Sequence, residues 1–138
     1  MSDIEIFFKK SVVNSPCMSM LLRGHSTLID KGWATGIIPF GVKSGCVYAK
    51  WNKIVVGAIA FYHDVDIESV HIQLSYVDEA YRGRRIHQRM HEALQTHAKS
   101  LGALRITSIV HKDNAPLLRA STRTGMQTRW YSQIIDLA

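Results

Sequence analysis

The chain is poor in the residues that staple or interrupt a fold. Its 138 residues include only two cysteines, Cys17 and Cys46, and three prolines. Two cysteines make neither a disulfide framework nor a metal-ligand set, so a reducing compartment, the cytoplasm, is expected. No apolar run approaches the roughly 18–20 residues of a membrane span. The opening MSDIEIFFKK runs from acidic to basic without an apolar signal core, which argues against secretion. Repeats, low-complexity tracts and long linkers are lacking as well. What is present is globular. Hydrophobic residues make up 46% and charged residues 20%, and the length suits one domain over residues 1–138 that buries its own core.

Acid is scarce in the second half. From Arg82 to Arg129 stand ten basic residues and two acids, Glu92 and Asp113, a local charge of +8 in a chain whose total is +6. Such a stretch faces something anionic, either a polyphosphate cofactor or a nucleic acid. No aromatic stripe interleaves the basic residues, so nucleic acid is the weaker reading.

The periodicities order the elements. Residues 3–10 predict a strand. Ser15-Pro16 reads as a helix N-cap and first helical residue, and Met18 to Ile29 recur at helical spacing before Gly32. Residues 32–45 hold four glycines and a proline, an irregular stretch suited to bordering a site. Residues 46–63 predict two strands turning at Asn52-Lys53. In SVHIQLSYV, Val70, Ile72, Leu74 and Tyr76 are expected on one face, with His71, Gln73 and Ser75 on the other. Ile86, Met90, Leu94, Ala98 and Leu101 mark one face of a helix over about 84–101, stopped by Gly102. LRITSIV is a strand, Asn114-Ala115-Pro116 starts a helix that Gly125 ends, and residues 126–137 predict one or two closing strands. The order is β-α-β-β-β-α-β-α-β, a mixed α/β fold.

The segment LSYVDEAYRGRRIHQRM joins a strand to a basic helix through a glycine turn. First-turn N–H groups lack intrahelical partners, and the helix end carries about half a positive charge. Such a terminus binds anions, and Arg82, Arg84 and Arg85 can fork onto phosphate oxygens.

VDEAYRGRRIH resembles the signature V-x-P-x-[YF]-R-G-x-G-[IL]-[GA] of the GCN5-related N-acetyltransferases, with Val77, Tyr81, Arg82, Gly83 and Ile86 in place. Asn114 followed by Gly125-Met126 is similar to the family's N-x(10)-G-[FM] segment, and IVVGAIAFYH resembles its third strand, with Gly57. The resemblance spans roughly residues 46–130. It implies a single-domain GNAT fold, with a mixed central sheet, splayed parallel strands and helices on both faces. It also implies acetyl-CoA as acyl donor, bound in a cleft between SVHIQLSYV and LRITSIV. Backbone amides of Gly83, Arg84, Arg85, Ile86, His87 and Gln88 would cradle the pyrophosphate, Tyr76 and Val77 would pair with the pantetheine arm, and Asn114 would contact it from the second wall. Three departures from the family bear on the chemistry. Arg85 stands where a glycine is expected, His87 where glycine or alanine is, and Ser121 where many members carry a tyrosine that protonates the leaving thiolate.

Acetyl transfer to an amine requires loss of a proton from the amine, stabilisation of the oxyanion and departure of the thiolate. With a thiol pKa near roughly 8.5, the thiolate leaves without a strong acid. His71, on the polar face of the cleft strand, is the candidate base, and His111, at the end of the neighbouring strand, is the second. Tyr131 is the alternative acid to Ser121. His87, His91 and Glu92 share one helix, but nothing completes a metal set. The expected function is N-acetyl transfer to a primary amine of a small molecule or protein. The alternatives are a binding or structural protein on the same fold that has lost CoA chemistry, or an acyltransferase acting on nucleic acid or a nucleic-acid-bound protein.

Overall fold

In the computed structural model, which describes residues 3–34 and 36–126, five strands form one sheet in chain order. They are β1 (Ile4–Lys9), β2 (Gly45–Trp51), β3 (Ile54–Asp64), β4 (Ser69–Val77) and β5 (Arg105–Ser108). β1 to β4 pair antiparallel, and β4 pairs parallel with β5 through a helical crossover. The β2–β3 turn is at Asn52-Lys53, as expected, with φ of 47° and 69° matching the twist of a tight hairpin. Helix α1 (Met18–Asp30) covers one face. Helix α2 (Ile86–Ser100) covers the other, with α3 (Ala115–Arg123) beside it. The mixed sheet with helices on both faces is the architecture that the family resemblance implied. The expected closing strands, with Tyr131, lie outside the described residues.

Two apolar layers flank the sheet. On the α2 side, Val56, Ile59, Phe61, Val70 and Ile72 meet Ile86, Met90 and Leu94. On the α1 side, Ala58, Ala60, Tyr48 and Leu74 meet Met20 and Leu21. Each fully buried large side chain contributes about 1.5–3 kcal/mol. Gly57 lets α2 press on β3, because a Cβ there would lie 3.1 Å from Met90 Cε and 3.3 Å from Ile86 Cγ2. Cys17 and Cys46 are fully buried in the α1 layer with their thiols 2.7 Å apart. The start of α1 differs from expectation. Ser15 Oγ donates to the Val12 carbonyl at 2.7 Å, and Cys17 takes the N-cap position without a side-chain cap.

A bulge in β4 corrects the expected face pattern. Ala60 is opposite Leu74 and Phe61 is opposite Ile72, so Gln73 is left without a place in the ladder. The extra residue inverts the alternation. Val70 and Ile72 enter the α2 layer, whereas Leu74 and Tyr76 face α1. Gln73 bonds away from the ladder, donating to the Pro39 carbonyl at 2.7 Å and accepting from Ser44 Oγ at 2.6 Å. β5 pairs with β4 only from Ser69 to Ile72. Beyond the bulge, β4 runs on to Val77 with no β5 partner among the described residues.

Candidate active site

The gap beside the end of β4 opens into a cleft of about 800 Å³ that is walled from both faces of the sheet. Ser75, Tyr76 and Val77 supply the strand wall. Thr27, Leu28, Lys31 and Trp33 close the α1 face. On the opposite face stand the turn into α2 and the α3 residues Asn114, Pro116, Leu117, Arg119, Ala120 and Arg123.

The turn into α2 shows why its sequence looks as it does. Asp78 Oδ1 accepts from the Ala80 amide at 3.0 Å and caps the single 3-10 turn at Glu79–Tyr81. Arg82 Nε donates to the Val77 carbonyl at 3.1 Å, and its guanidinium lies over the Tyr76 ring. Gly83 has φ +79° with open space around it. Arg85, the N-cap of α2, has φ 61° and ψ 23°. A glycine suits that position because the backbone is left-handed there, and arginine holds the same conformation at a cost of about 1–3 kcal/mol. Arg82, Gly83, Arg85, Ile86, His87 and Gln88 all line the cleft. Arg84 does not. Its guanidinium stacks over Trp51 and Tyr81 instead.

The electrostatics are one-signed. Arg85, Arg119 and Arg123 stand on the α2–α3 face, Arg82 lies at the end of β4 over Tyr76 with Glu79 3.9 Å away, Lys31 stands at the α1 mouth, and no Asp or Glu is among the described lining residues. Asn114 lines the cleft, but its Oδ1 is used as the N-cap of α3, accepting from the Leu117 amide at 3.3 Å. Trp33 stacks at 6.1 Å on His111, which joins the end of α1 to the chain after β5.

Several residues singled out in the sequence lie elsewhere. His71 is four residues before the cleft-lining part of β4. Its Nδ1 is 2.8 Å from Thr107 Oγ1, its ring meets the edge of Tyr62, and burial lowers its pKa. His111 is behind Trp33, and its Nδ1 accepts from the Asp113 amide at 3.1 Å. Neutral His111 therefore carries its proton on Nε2 and has no free lone pair. Ser121 is on α3 but not among the lining residues. His87 lines the cleft, and burial, with His91 nearby, pushes its pKa down to about 4. Arg119 and Arg123 went unassigned in the sequence, although their i, i+4 spacing beside Pro116 places both on one face of α3. Lys31 and Trp33 carried no motif signal.

A cleft where two parallel strands part, beside a basic helix start, is what the resemblance implied, and comparison places the chain in that class. Residues 25–126 match the model of the acetyltransferase (GNAT) family, and the chain belongs to that family. Solved structures agree in fold. A ribosomal-protein-alanine N-acetyltransferase from Brucella melitensis biovar Abortus 2308 is 14% identical at a TM-score of 0.74, covering 99% of this chain and 100% of its own. An aminoglycoside acetyltransferase from an uncultured soil metagenomic sample, in complex with trehalose, is 13% identical at a TM-score of 0.74, covering 99% and 97%. An aminoglycoside N-acetyltransferase in complex with CoA is 15% identical at a TM-score of 0.69, covering 100% and 95%. At these identities the likeness shows the fold alone. No curated protein matches the chain. No described helix is long and apolar enough to cross a membrane.

Proposed function

We propose that the chain transfers an acetyl group from acetyl-CoA to an amine by direct attack within one ternary complex. The observation that carries the reading is the cleft beside the end of β4, lined by four arginines and the start of α2 and open at the α1 mouth. The residues present fit the donor. Arg82, Arg85, Arg119 and Arg123 match a multiply charged phosphate group, and the first-turn amides of α2 add neutral donors. The edge of β4 at Ser75 to Val77, which has no β5 partner among the described residues, offers backbone groups to an extended amide chain, the Val77 carbonyl already accepting from Arg82 Nε. Bound there, acetyl-CoA would supply an activated thioester.

Arg85, Arg119, Arg123 and the first turn of α2 lie opposite α1, so the amine enters at the α1 mouth past Lys31 and Trp33. With the arginines neutralised by the phosphates, Lys31 is the cation left at the mouth, and without a described carboxylate beside it a protonated amine is disfavoured and its pKa lowered. The neutral, attacking form is thereby favoured with no dedicated side-chain base, and the proton passes to solvent at the mouth. The same charge pattern disfavours polycationic acceptors and suits an amine that carries no further positive charge. Neither His71 nor His111 is assigned proton abstraction in this reading, for the geometric reasons above. Ser121 is not assigned the acid role, since a thiolate leaves unaided.

The test is a melting curve with and without acetyl-CoA, followed by thiol release with a panel of amines. Ligand at a hundred times its dissociation constant should add about 2.7 kcal/mol to stability. A midpoint unmoved by millimolar acetyl-CoA would overturn the reading and favour a fold that has lost its donor.

A further inference from the structure

His87, His91 and Gln95 follow one another at single-turn spacing along α2. The Gln95 amide nitrogen donates to the Thr124 carbonyl at 3.1 Å and pairs with His91 Nδ1 at 2.9 Å. A carbonyl only accepts, so the amide orientation is fixed, and His91 Nδ1 must be the acceptor. Neutral His91 then holds its proton on Nε2. That residue is 2% exposed, and its Nε2 is buried without a partner. One turn earlier, His87 Nδ1 is also buried without a partner, and the two ring centroids are 5.9 Å apart.

An orphan donor thus stands next to an orphan ring nitrogen, each costing about 1–3 kcal/mol while unpaired. A closer approach of the two side chains, with rotation of the rings, that brings His91 Nε2–H onto His87 Nδ1 satisfies both. With Nδ1 accepting, the His87 proton is on Nε2, the ring nitrogen left on the cleft side. We propose that Gln95, His91 and His87 form a hydrogen-bond relay that fixes His87 as an Nε2–H donor toward the phosphate oxygens of the acyl donor. The proposal rests on the cleft being the acetyl-CoA site. It gives the bulky residue at position 87 a binding role in place of the backbone approach that glycine or alanine would allow. His91 and Gln95 are positioning residues that act through His87. The depressed basicity of His87 is consistent with a donor that stays neutral at working pH.

Two measurements test this. The first is nitrogen-15 NMR of the histidine rings in the free protein. His87 and His91 should both be Nε2–H tautomers at neutral pH, and His91→Phe should drive His87 into a tautomer mixture. The second is binding of CoA and of pantetheine, which lacks the phosphates. His87→Gly should weaken CoA about 10–100-fold, the worth of one hydrogen bond to a charged group, and leave pantetheine unchanged. His87→Gln, which keeps an N–H donor, should recover most of the loss. An Nδ1–H tautomer at His87, or a glycine variant that binds CoA as tightly as the wild type or tighter, overturns the relay while the acetyl-CoA reading stands. Failure of the wild type to bind CoA at all overturns both.

Discussion

Gly24 sits in the interior of α1, where alanine would ordinarily add about 1 kcal/mol of helix stability. Here a Cβ would lie 2.6 Å from both Cβ and Cγ of Tyr76. Those atoms are the root of a side chain anchored on β4, so they cannot swing away as a flexible tip could. Either the helix lifts or the strand gives way. Overpacking of this kind costs about 1–3 kcal/mol, which outweighs the helical gain. Gly24→Ala should therefore destabilise by up to about 2 kcal/mol, and the midpoint of thermal unfolding should fall by several degrees. Because Tyr76 lines the cleft and carries Arg82 over its ring, acetyl-CoA affinity should fall too. The exposed Ser26→Ala on the same helix is the control and should be neutral or slightly stabilising. The measurements are thermal and urea unfolding with a binding titration. A Gly24→Ala protein that melts above the wild type and binds the donor normally would refute the argument that α1 rests on Tyr76 through this glycine.

Arg85→Gly relieves a left-handed arginine but removes a cleft cation; unfolding in urea should change by no more than about 1 kcal/mol while CoA binding weakens. His71→Ala should cost about 1–2 kcal/mol through the lost Thr107 bond and Tyr62 contact, with turnover nearly intact. A fall in turnover of about 10²-fold or more without loss of folding would restore His71 as the base. The pKa of His87 is held at about 4, below the ordinary histidine value, so unfolding takes up a proton between those limits. Its contribution is complete above pH about 6.5 and is lost as pH falls toward 4, by about 3 kcal/mol at most. Urea unfolding at several pH values should show a shallower acid limb in His87→Asn, and an unchanged limb would contradict the burial argument.

The elements and the turn into α2 were legible in the sequence because both rest on local chemistry. Periodicity found α2, turn residues found the β2–β3 hairpin, and glycine with arginine marked the start of α2. The bulge escaped notice because Gln73 is polar and fell where an unbroken alternation also wants a polar residue. That single slip moved Leu74 and Tyr76 to the other face. The distance of the candidate histidines from the cleft was hidden for a related reason. Position along a strand tells which face a side chain takes, not how far along that face the cleft begins. His71 lies where β5 still pairs with β4, before the strands part. Lys31 and Trp33 were hidden because their role comes from where α1 ends in space.

Gln73 has a second consequence. By holding Pro39 and Ser44 it divides the connection between α1 and β2 into two parts of different standing. The second part is further secured where Ser44 accepts from the Val12 amide and Ser11 Oγ donates to the Val42 carbonyl. None of these ties reaches residues 36–38, where Ile37 and Ile38 stand exposed a few residues from Trp33. The first part is therefore an interchangeable cassette hung between a helix end and a fixed anchor. On the proposed function, substitutions or insertions there would alter the mouth where the amine enters without disturbing a strand ladder, the turn into α2 or either core. The preference for one amine over another could then drift, or be engineered, independently of donor binding.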